Sequence, residues 1–197
     1  GTQWYRYNSG DTSRVLAIED GHNARLTNTL NDEGATRTWA RRESGAADQL
    51  TVTDYQVATM VFSTTVNSAS SFDPASNSIM LRCSADGNHF VEAEVSSGSM
   101  TDYANARLYY STTGIAGRTA LSSAVNSITG GNSAGATWTF EAGTAGGLRI
   151  FKLKLNGSTK ITYTDAGAVT SAGASYRGWG FGQSAPAHGI QFFAGDE

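Results

Sequence analysis

Apolar and polar residues alternate with a period of two along much of this chain, the pattern of β-strands with one buried face. The apolar runs are short, rich in β-branched and aromatic residues, and separated by turn residues at intervals of roughly 8–12 positions. The pattern predicts strands over Tyr55–Thr64, Asn77–Ser84, Phe90–Ser96, Arg107–Thr112, Leu148–Leu155, Ser158–Thr164, Tyr176–Gln183 and Ile190–Ala194. We therefore predict an all-β fold with little helix.

Two turn sequences predict hairpins between neighbouring strands. Asn156-Gly157 joins two alternating runs, and both residues tolerate the positive φ angles of a tight turn. Asp86-Gly87-Asn88 separates an earlier pair of runs in the same way. Small polar residues dominate Ala116–Ser127, which we therefore predict to be a loop.

Composition limits the classes of protein to which this chain can belong. Its 197 residues predict a single domain, 1–197. Cys83 is the sole cysteine, so an internal disulfide is excluded and core packing must stabilise the fold. The net charge of −3 comes without a basic stripe, which argues against nucleic-acid binding. No apolar run approaches the roughly 20 residues that span a bilayer, so membrane insertion is not expected.

The order of motifs in the C-terminal third resembles that of concanavalin-like and laminin-G-like jelly rolls. A strand ending in Asn-Gly, an Asp-containing segment, a glycine-rich aromatic strand and an apolar strand with an acidic tip follow one another. These are Phe151–Gly157, Ile161–Asp165, Gly178–Phe181 and Ile190–Asp196. The resemblance implies a two-sheet antiparallel jelly-roll sandwich.

The N-terminal half resembles a module of minor tail proteins from phages that infect actinobacteria. The similar segments are Trp4–Tyr7, Ile18–Gly21, Thr38–Arg41 and Thr53–Gln56. This resemblance implies a location in the virion, on a phage tail or fibre that touches the host surface and its glycans. Fold alone does not establish function, so the candidate site has to be argued from its residues.

One face of the predicted sheet carries polar and charged residues suited to a sugar ligand. Glu92 and Glu94 lie two positions apart, so they share a face at about 6.6–6.8 Å. By alternation Arg82, Arg107 and Tyr109 also point outward. Aromatic residues among polar neighbours can pack against sugar rings. The predicted ligand-binding residues are Arg82, Glu92, Glu94, Tyr103, Arg107, Tyr109 and Trp39. The alternative is a solvated face with cross-strand ion pairs.

The same two carboxylates raise the question of glycoside hydrolysis, which usually requires a pair of acids. Their spacing permits it, but Glu92-Ala93-Glu94-Val95-Ser96 lacks the further acids of the E-x-D-x-E strand that sandwich glycosidases carry. We therefore predict no catalytic residue.

No metal site or cofactor is predicted. His22, His89 and His188 are isolated in turn-like segments and lack ligand spacing. A structural Ca²⁺ stays open, because loop carboxylates are its usual ligands; the candidates are Asp11, Asp20, Asp165 and Asp196.

Three functions follow from these observations. The first is a non-catalytic carbohydrate-binding or host-surface-binding module of a phage tail or fibre, with a bacterial cell-surface polysaccharide as ligand. The second is a structural module for virion assembly, with other tail proteins as partners. The third is a glycan-cleaving enzyme using Glu92 and Glu94. Weak sugar sites gain strength from copy number, so we expect a multi-copy arrangement such as a homotrimer in the particle.

Overall fold

The computed structural model describes side chains over residues 53–62, 76–98, 102–114, 117–143 and 147–182. It describes strand backbone alone over 4–9, 15–19, 23–27, 37–42, 144, 183–184 and 190–196. The strands are β1 (Trp4–Ser9), β2 (Val15–Glu19), β3 (Asn23–Thr27), β4 (Arg37–Arg42), β5 (Gln56–Phe62), β6 (Ser76–Cys83), β7 (Phe90–Ser97), β8 (Tyr103–Ser111), β9 (Thr119–Ala120), β10 (Val125–Thr129), β11 (Thr137–Thr144), β12 (Gly147–Leu155), β13 (Ser158–Thr164), β14 (Gly178–Ser184) and β15 (Ile190–Asp196).

These strands form two antiparallel sheets that pack into a β-sandwich, which confirms the predicted all-β class. One sheet has the order β1-β4-β14-β6-β7-β8-β10, and β9 pairs with the far end of β8. The other has the order β13-β12-β11-β5-β15-β3-β2. We call them the β7 sheet and the β12 sheet. The described residues include a short 3-10 turn, Ala174–Tyr176.

The core lies between the two sheets and is built from alternate residues of their strands. From the β12 sheet it takes Trp138, Phe140 and Phe151, and from the β7 sheet it takes Ile79 and Leu108, all of them fully buried. The indole N–H of Trp138 donates to the carbonyl of Gly131 at 2.8 Å, so the one polar atom of this side chain is satisfied. Alternation therefore positions this core, although β11, which supplies Trp138 and Phe140, is not among the predicted strands.

Both predicted hairpins are confirmed. Asn156 and Gly157 have φ angles of 49° and 78° in the turn between β12 and β13. Gly87, at φ 72°, lies in the turn between β6 and β7. These are positions where the residue type is dictated by a left-handed backbone.

The segment predicted as a loop, Ala116–Ser127, is wrong in part. It contains β9 and the start of β10, which pair with opposite ends of β8. The segment lies at the sheet edge, where Leu121 is the one buried residue among those described, so its sequence lacks apolar alternation. The strand β8 also begins at Tyr103, four residues before the predicted start at Arg107.

Among the described residues, no helix has the length and apolar character needed to cross a membrane.

Candidate ligand-binding face

Four of the predicted site residues lie together on the outer face of the β7 sheet. In the antiparallel pairing of β7 and β8, Glu92 lies opposite Tyr109 and Glu94 lies opposite Arg107. The intervening residues of both strands are buried in the core. The outward placement predicted from alternation is therefore confirmed for these four.

Tyr103 lies on this face as well, in a strand, although it precedes the predicted strand Arg107–Thr112. It is the first residue of β8, opposite Thr129 of β10. Tyr103, Arg107 and Tyr109 form a row of partly exposed side chains along β8. Residues two apart in a strand are spaced by about 6.6–6.8 Å, so the row extends over several such steps.

Sequence reasoning missed Arg118, which lies across this face just before β9. Its Nη1 donates to Oε2 of Glu92 and to Oε2 of Glu94, each at 2.8 Å. Its guanidinium carbon also lies 3.9 Å from the centre of the Tyr109 ring. Arg118 lies among small polar residues that show no periodicity, so the local sequence does not indicate where its side chain points. The one indication was that two carboxylates on one face, Glu92 and Glu94, need a cation nearby.

The ion pairs with Arg118 are buried. The Glu92 and Glu94 side chains are 1% and 12% exposed, and Arg118 is 14% exposed. Burial acts to lower the pKa of Arg118, but the charges of Glu92 and Glu94 and their hydrogen bonds outweigh it and raise that pKa above its ordinary value. Arg118 is therefore charged at neutral pH. The alternative to a ligand site was a solvated face with cross-strand ion pairs. Ion pairs are present on this face, but they are buried rather than solvated.

Among the described residues, the Arg107 side chain makes one hydrogen bond, and its two terminal nitrogens take no part in it. Its Nε donates to the carbonyl of Ser122 at 3.0 Å, and its guanidinium carbon lies 5.5 Å from the Tyr109 ring centre. Although Glu94 is opposite it in register, Glu94 bonds to Arg118. We call Glu92, Glu94, Arg107, Tyr109 and Arg118 the outer-face cluster.

Arg82 does not belong to this face, and its predicted outward placement is wrong. Its side chain is 1% exposed and lies between the sheets, 4.9 Å from the Phe151 ring centre. The cause is a bulge: β6 spans Met80 to Cys83 where β14 spans Gly178 to Gly180. Arg82 occupies the left-handed region at φ 54°, which breaks the alternation.

The same bulge moves Cys83. Strict alternation along the predicted strand would put Cys83 inward with Ile79 and Leu81, but it packs with Met80 and Phe90 in a separate small cluster. One extra residue in a strand exchanges the faces of everything that follows it.

Arg82 lies in a second group of charged side chains, at the end of the sandwich. Asp54 pairs with Arg177, and Asp165 pairs with Arg149, each at 3.2 Å. We call these five residues the end cluster. The Nη2 of Arg82 donates to the carbonyls of Leu148 at 2.5 Å and Asp54 at 3.4 Å. Burial and the charge of Arg149 lower the pKa of Arg82 to about 10.

Asp165, one of the calcium candidates, has its carboxylate engaged by protein donors. The amides of Val169 and Thr170 donate at 3.0 and 2.9 Å, and the Thr170 hydroxyl donates at 2.7 Å. Burial acts to raise the pKa of Asp165, but these bonds and Arg149 lower it. Among the described side chains no group of His, Cys, Asp and Glu is arranged to hold a metal ion. Asp11, Asp20 and the side chain of Asp196 lie outside the described residues.

The side chain of His89 contacts two other side chains. His89 shares a hydrogen bond of 2.8 Å between Nδ1 and the Ser171 hydroxyl, and its ring lies 5.2 Å from that of Tyr176. His22 and His188 lie outside the described residues. Trp39 lies in β4 opposite Gly182 of β14, and its side chain is also outside the described residues.

Comparison with known proteins places the chain in a family. The family described as "Domain of unknown function (DUF7257)" matches residues 1–193. The chain belongs to this family. The DUF7257 match includes every residue of the outer-face cluster and of the end cluster.

Two phage proteins are similar to this DUF7257 domain. The "Gene 31 protein" of Mycobacterium phage L5 is 29% identical over 180 residues, covering 89% of this chain and 31% of the relative. The "Gene 31 protein" of Mycobacterium phage D29 is 32% identical over 176 residues, covering 87% of this chain and 27% of the relative. The chain therefore spans about a third or less of the length of these relatives and is related to phage-encoded proteins.

Proposed function

We propose that this domain is a non-catalytic module of a phage virion that binds a bacterial cell-surface polysaccharide through the outer face of the β7 sheet. The observation that carries the proposal is the row of Tyr103, Arg107 and Tyr109 along β8. These side chains are partly exposed on one face, and the terminal nitrogens of Arg107 are left over for a ligand. The phage origin of the relatives makes a host surface the natural place to look for that ligand.

The chemistry of the row suits a sugar polymer. Aromatic rings pack against the C–H groups of a pyranose, while a few polar groups fix its orientation. The guanidinium of Arg107 supplies directed donors and is positioned by its bond to Ser122. Strand residues hold these groups more rigidly than a loop would, which reduces the entropy lost on binding.

The ion pairs with Arg118 favour binding over cleavage. A glycosidase needs one carboxyl group as an acid and a second as a base or nucleophile. Here one nitrogen of Arg118 bonds to both Glu92 and Glu94, and Glu92 is 1% exposed. We therefore propose a structural role for both carboxylates: they fix Arg118 and, through it, the ring of Tyr109.

In the proposed particle the domain sits on a tail or fibre and is present in several copies, as a homotrimer or another multiple. Other tail proteins are its proposed neighbours, and a concanavalin-like jelly roll is its proposed sandwich type. Linking several weak sites raises avidity by about 10²–10⁴-fold without new contacts. A structural Ca²⁺ is no part of this proposal, and no cofactor is invoked.

The test is binding of the fluorescently labelled domain to intact mycobacterial cells and to their purified cell-wall polysaccharide, with product analysis on the same samples. We expect saturable binding and no release of fragments. Tyr103→Ala and Arg107→Ala should each weaken binding at least tenfold. Lys152→Ala, a matched change of a partly exposed cation on the β12 sheet, should leave it unchanged.

Each other outcome assigns a different function. Absence of binding to every envelope fraction, together with a stable trimer in solution, would replace the proposal by a structural assembly module. Release of new reducing ends that is abolished by Glu92→Gln would make the domain an enzyme. If Arg107→Ala binds the polysaccharide as tightly as the unchanged domain does, the binding site is not on the outer face.

A further inference from the structure

The strongest unexplained feature of the molecule is the buried guanidinium of Arg82. The residue is 1% exposed, and its Nη2 donates to two carbonyls. Its Nε and Nη1 are buried as well and have no hydrogen-bond partner in the part of the chain that the structure describes. Buried polar groups in native proteins almost always have a partner, so each exception calls for a specific explanation.

The charged side chains described around Arg82 do not neutralise its positive charge. Among the described side chains, the end cluster contains three arginines and two aspartates. Asp54 is paired with Arg177, and Asp165 is paired with Arg149 and engaged by the 169–170 backbone. Counted over the described side chains alone, the cluster therefore holds one arginine more than it holds aspartates, and Arg82 is the most deeply buried of the three arginines.

The immediate neighbours of Arg82 stabilise its position without neutralising it. Gln56 accepts a hydrogen bond from the backbone N–H of Arg82 at 2.6 Å, and its own amide donates to the carbonyl of Tyr176 at 3.4 Å. Phe151 offers its ring face, a weak partner for a cation. Gly143 gives the guanidinium room, since a Cβ there would lie 3.0 Å from Nη2.

We propose that the end cluster binds one small anion, a halide or a small carboxylate, which accepts a hydrogen bond from Nε or Nη1 of Arg82. Such an anion supplies the missing acceptor and the missing negative charge together, and hydrogen bonds between ions are the strong ones. The site lies at the strand ends between the two sheets, whereas the polysaccharide face is the outer surface of the β7 sheet. The anion site thus stands whether or not the domain binds a polysaccharide.

The first test is thermal unfolding of the domain in increasing chloride at constant ionic strength, with a bulky organic sulfonate as the replaced anion. A separate series uses formate, so that halide and carboxylate are distinguished. Binding to the folded state should raise Tm along a saturating curve, by about 3–6 °C at tenfold the dissociation constant. Arg82→Met should abolish the saturating part, and Lys152→Met, a partly exposed control, should keep it.

A second measurement does not depend on the stability of a variant. Crystals of the unmodified domain soaked in bromide should show an anomalous peak at hydrogen-bonding distance from Nε or Nη1 of Arg82. A Tm that follows ionic strength alone in both series, with ordered water and no anomalous peak at these atoms, would overturn the proposal. A saturating rise that persists in Arg82→Met would also overturn it, because the anion would then be bound elsewhere.

Discussion

The outer-face cluster and the end cluster each contain a buried arginine, but the two guanidinium groups are stabilised differently. Arg118 bonds to the carboxylates of Glu92 and Glu94, and their charges raise its pKa against the effect of burial. Arg82 bonds to backbone carbonyls, and burial lowers its pKa to about 10.

The difference follows from how each arginine reaches its place. Arg118 belongs to a segment at the sheet edge, and its side chain lies across the outer face of the sheet. Regular alternation in β7 places Glu92 and Glu94 on that face. Arg82 is turned inward by a bulge in β6, among strand ends whose charges are already paired. The outer-face cluster therefore depends on ion pairing, whereas Arg82 depends on backbone acceptors.

The largest expected effect is the loss of Arg118. Arg118→Ala leaves Glu92, which is 1% exposed, and Glu94 without this cation, and breaking a buried ion pair in this way reduces the free energy of unfolding by about 3–5 kcal/mol. Urea unfolding at pH 7 measures the change. Adding Glu92→Gln and Glu94→Gln to Arg118→Ala should recover more than half of it, because the buried carboxylate charges that Arg118 had paired are then gone. A loss below about 1 kcal/mol, or no recovery, would show that these pairs do not stabilise the fold.

How far the sequence predicts the fold differs between the two clusters. Alternation in β7 and β8 places Glu92, Glu94, Arg107 and Tyr109 on one face correctly, because regular strands alternate strictly. The turn at Asn156-Gly157 is also predicted correctly, since its positive φ angles restrict the residue type.

The end cluster could not be predicted in the same way. The bulge at Arg82 contains no glycine that would mark it in the sequence. The alternation of apolar and polar residues therefore continues through Arg82 in the sequence, although the backbone changes face there. Arg118 is missed for a related reason. Its position depends on the edge pairing of β9 with β8, which is a contact between distant residues rather than a local pattern.

The second prediction concerns Asp165 and pH. The pKa of Asp165 is lowered in the folded state, so its contribution to stability is complete above the ordinary value of 3.8 and is lost as pH falls through the lowered value. Asp165→Asn should therefore cost about 1.5–3 kcal/mol at pH 7, the range for hydrogen bonds to a charged group. The difference from the unchanged domain should shrink below about pH 4 in urea titrations. Asp102→Asn, at an exposed position, is the control; a difference that is constant between pH 7 and pH 2 would contradict the assigned role of Asp165.

A smaller effect is expected for Arg82. Arg82→Met leaves the carbonyl of Leu148 without its donor, but it also removes a buried guanidinium whose Nε and Nη1 have no hydrogen-bond partner among the described residues. The two changes oppose each other, so we expect a loss of at most about 2 kcal/mol in low-chloride buffer, less than for Arg118→Ala. Urea unfolding of both variants on the same day compares them directly. A loss for Arg82→Met equal to that for Arg118→Ala would show that backbone acceptors stabilise a buried guanidinium as well as carboxylates do.

The smallest effect on stability is expected for Arg107, the third arginine of the comparison. It is partly exposed, lies opposite Glu94 without pairing to it, and makes one hydrogen bond, to Ser122. Arg107→Ala should therefore lower the free energy of unfolding by less than about 1 kcal/mol, while weakening polysaccharide binding strongly. Urea unfolding and cell-wall binding of the same preparation separate the two properties. A loss as large as that of Arg118→Ala would mean that Arg107 also stabilises the sheet, and its unused donors would then no longer identify a ligand site.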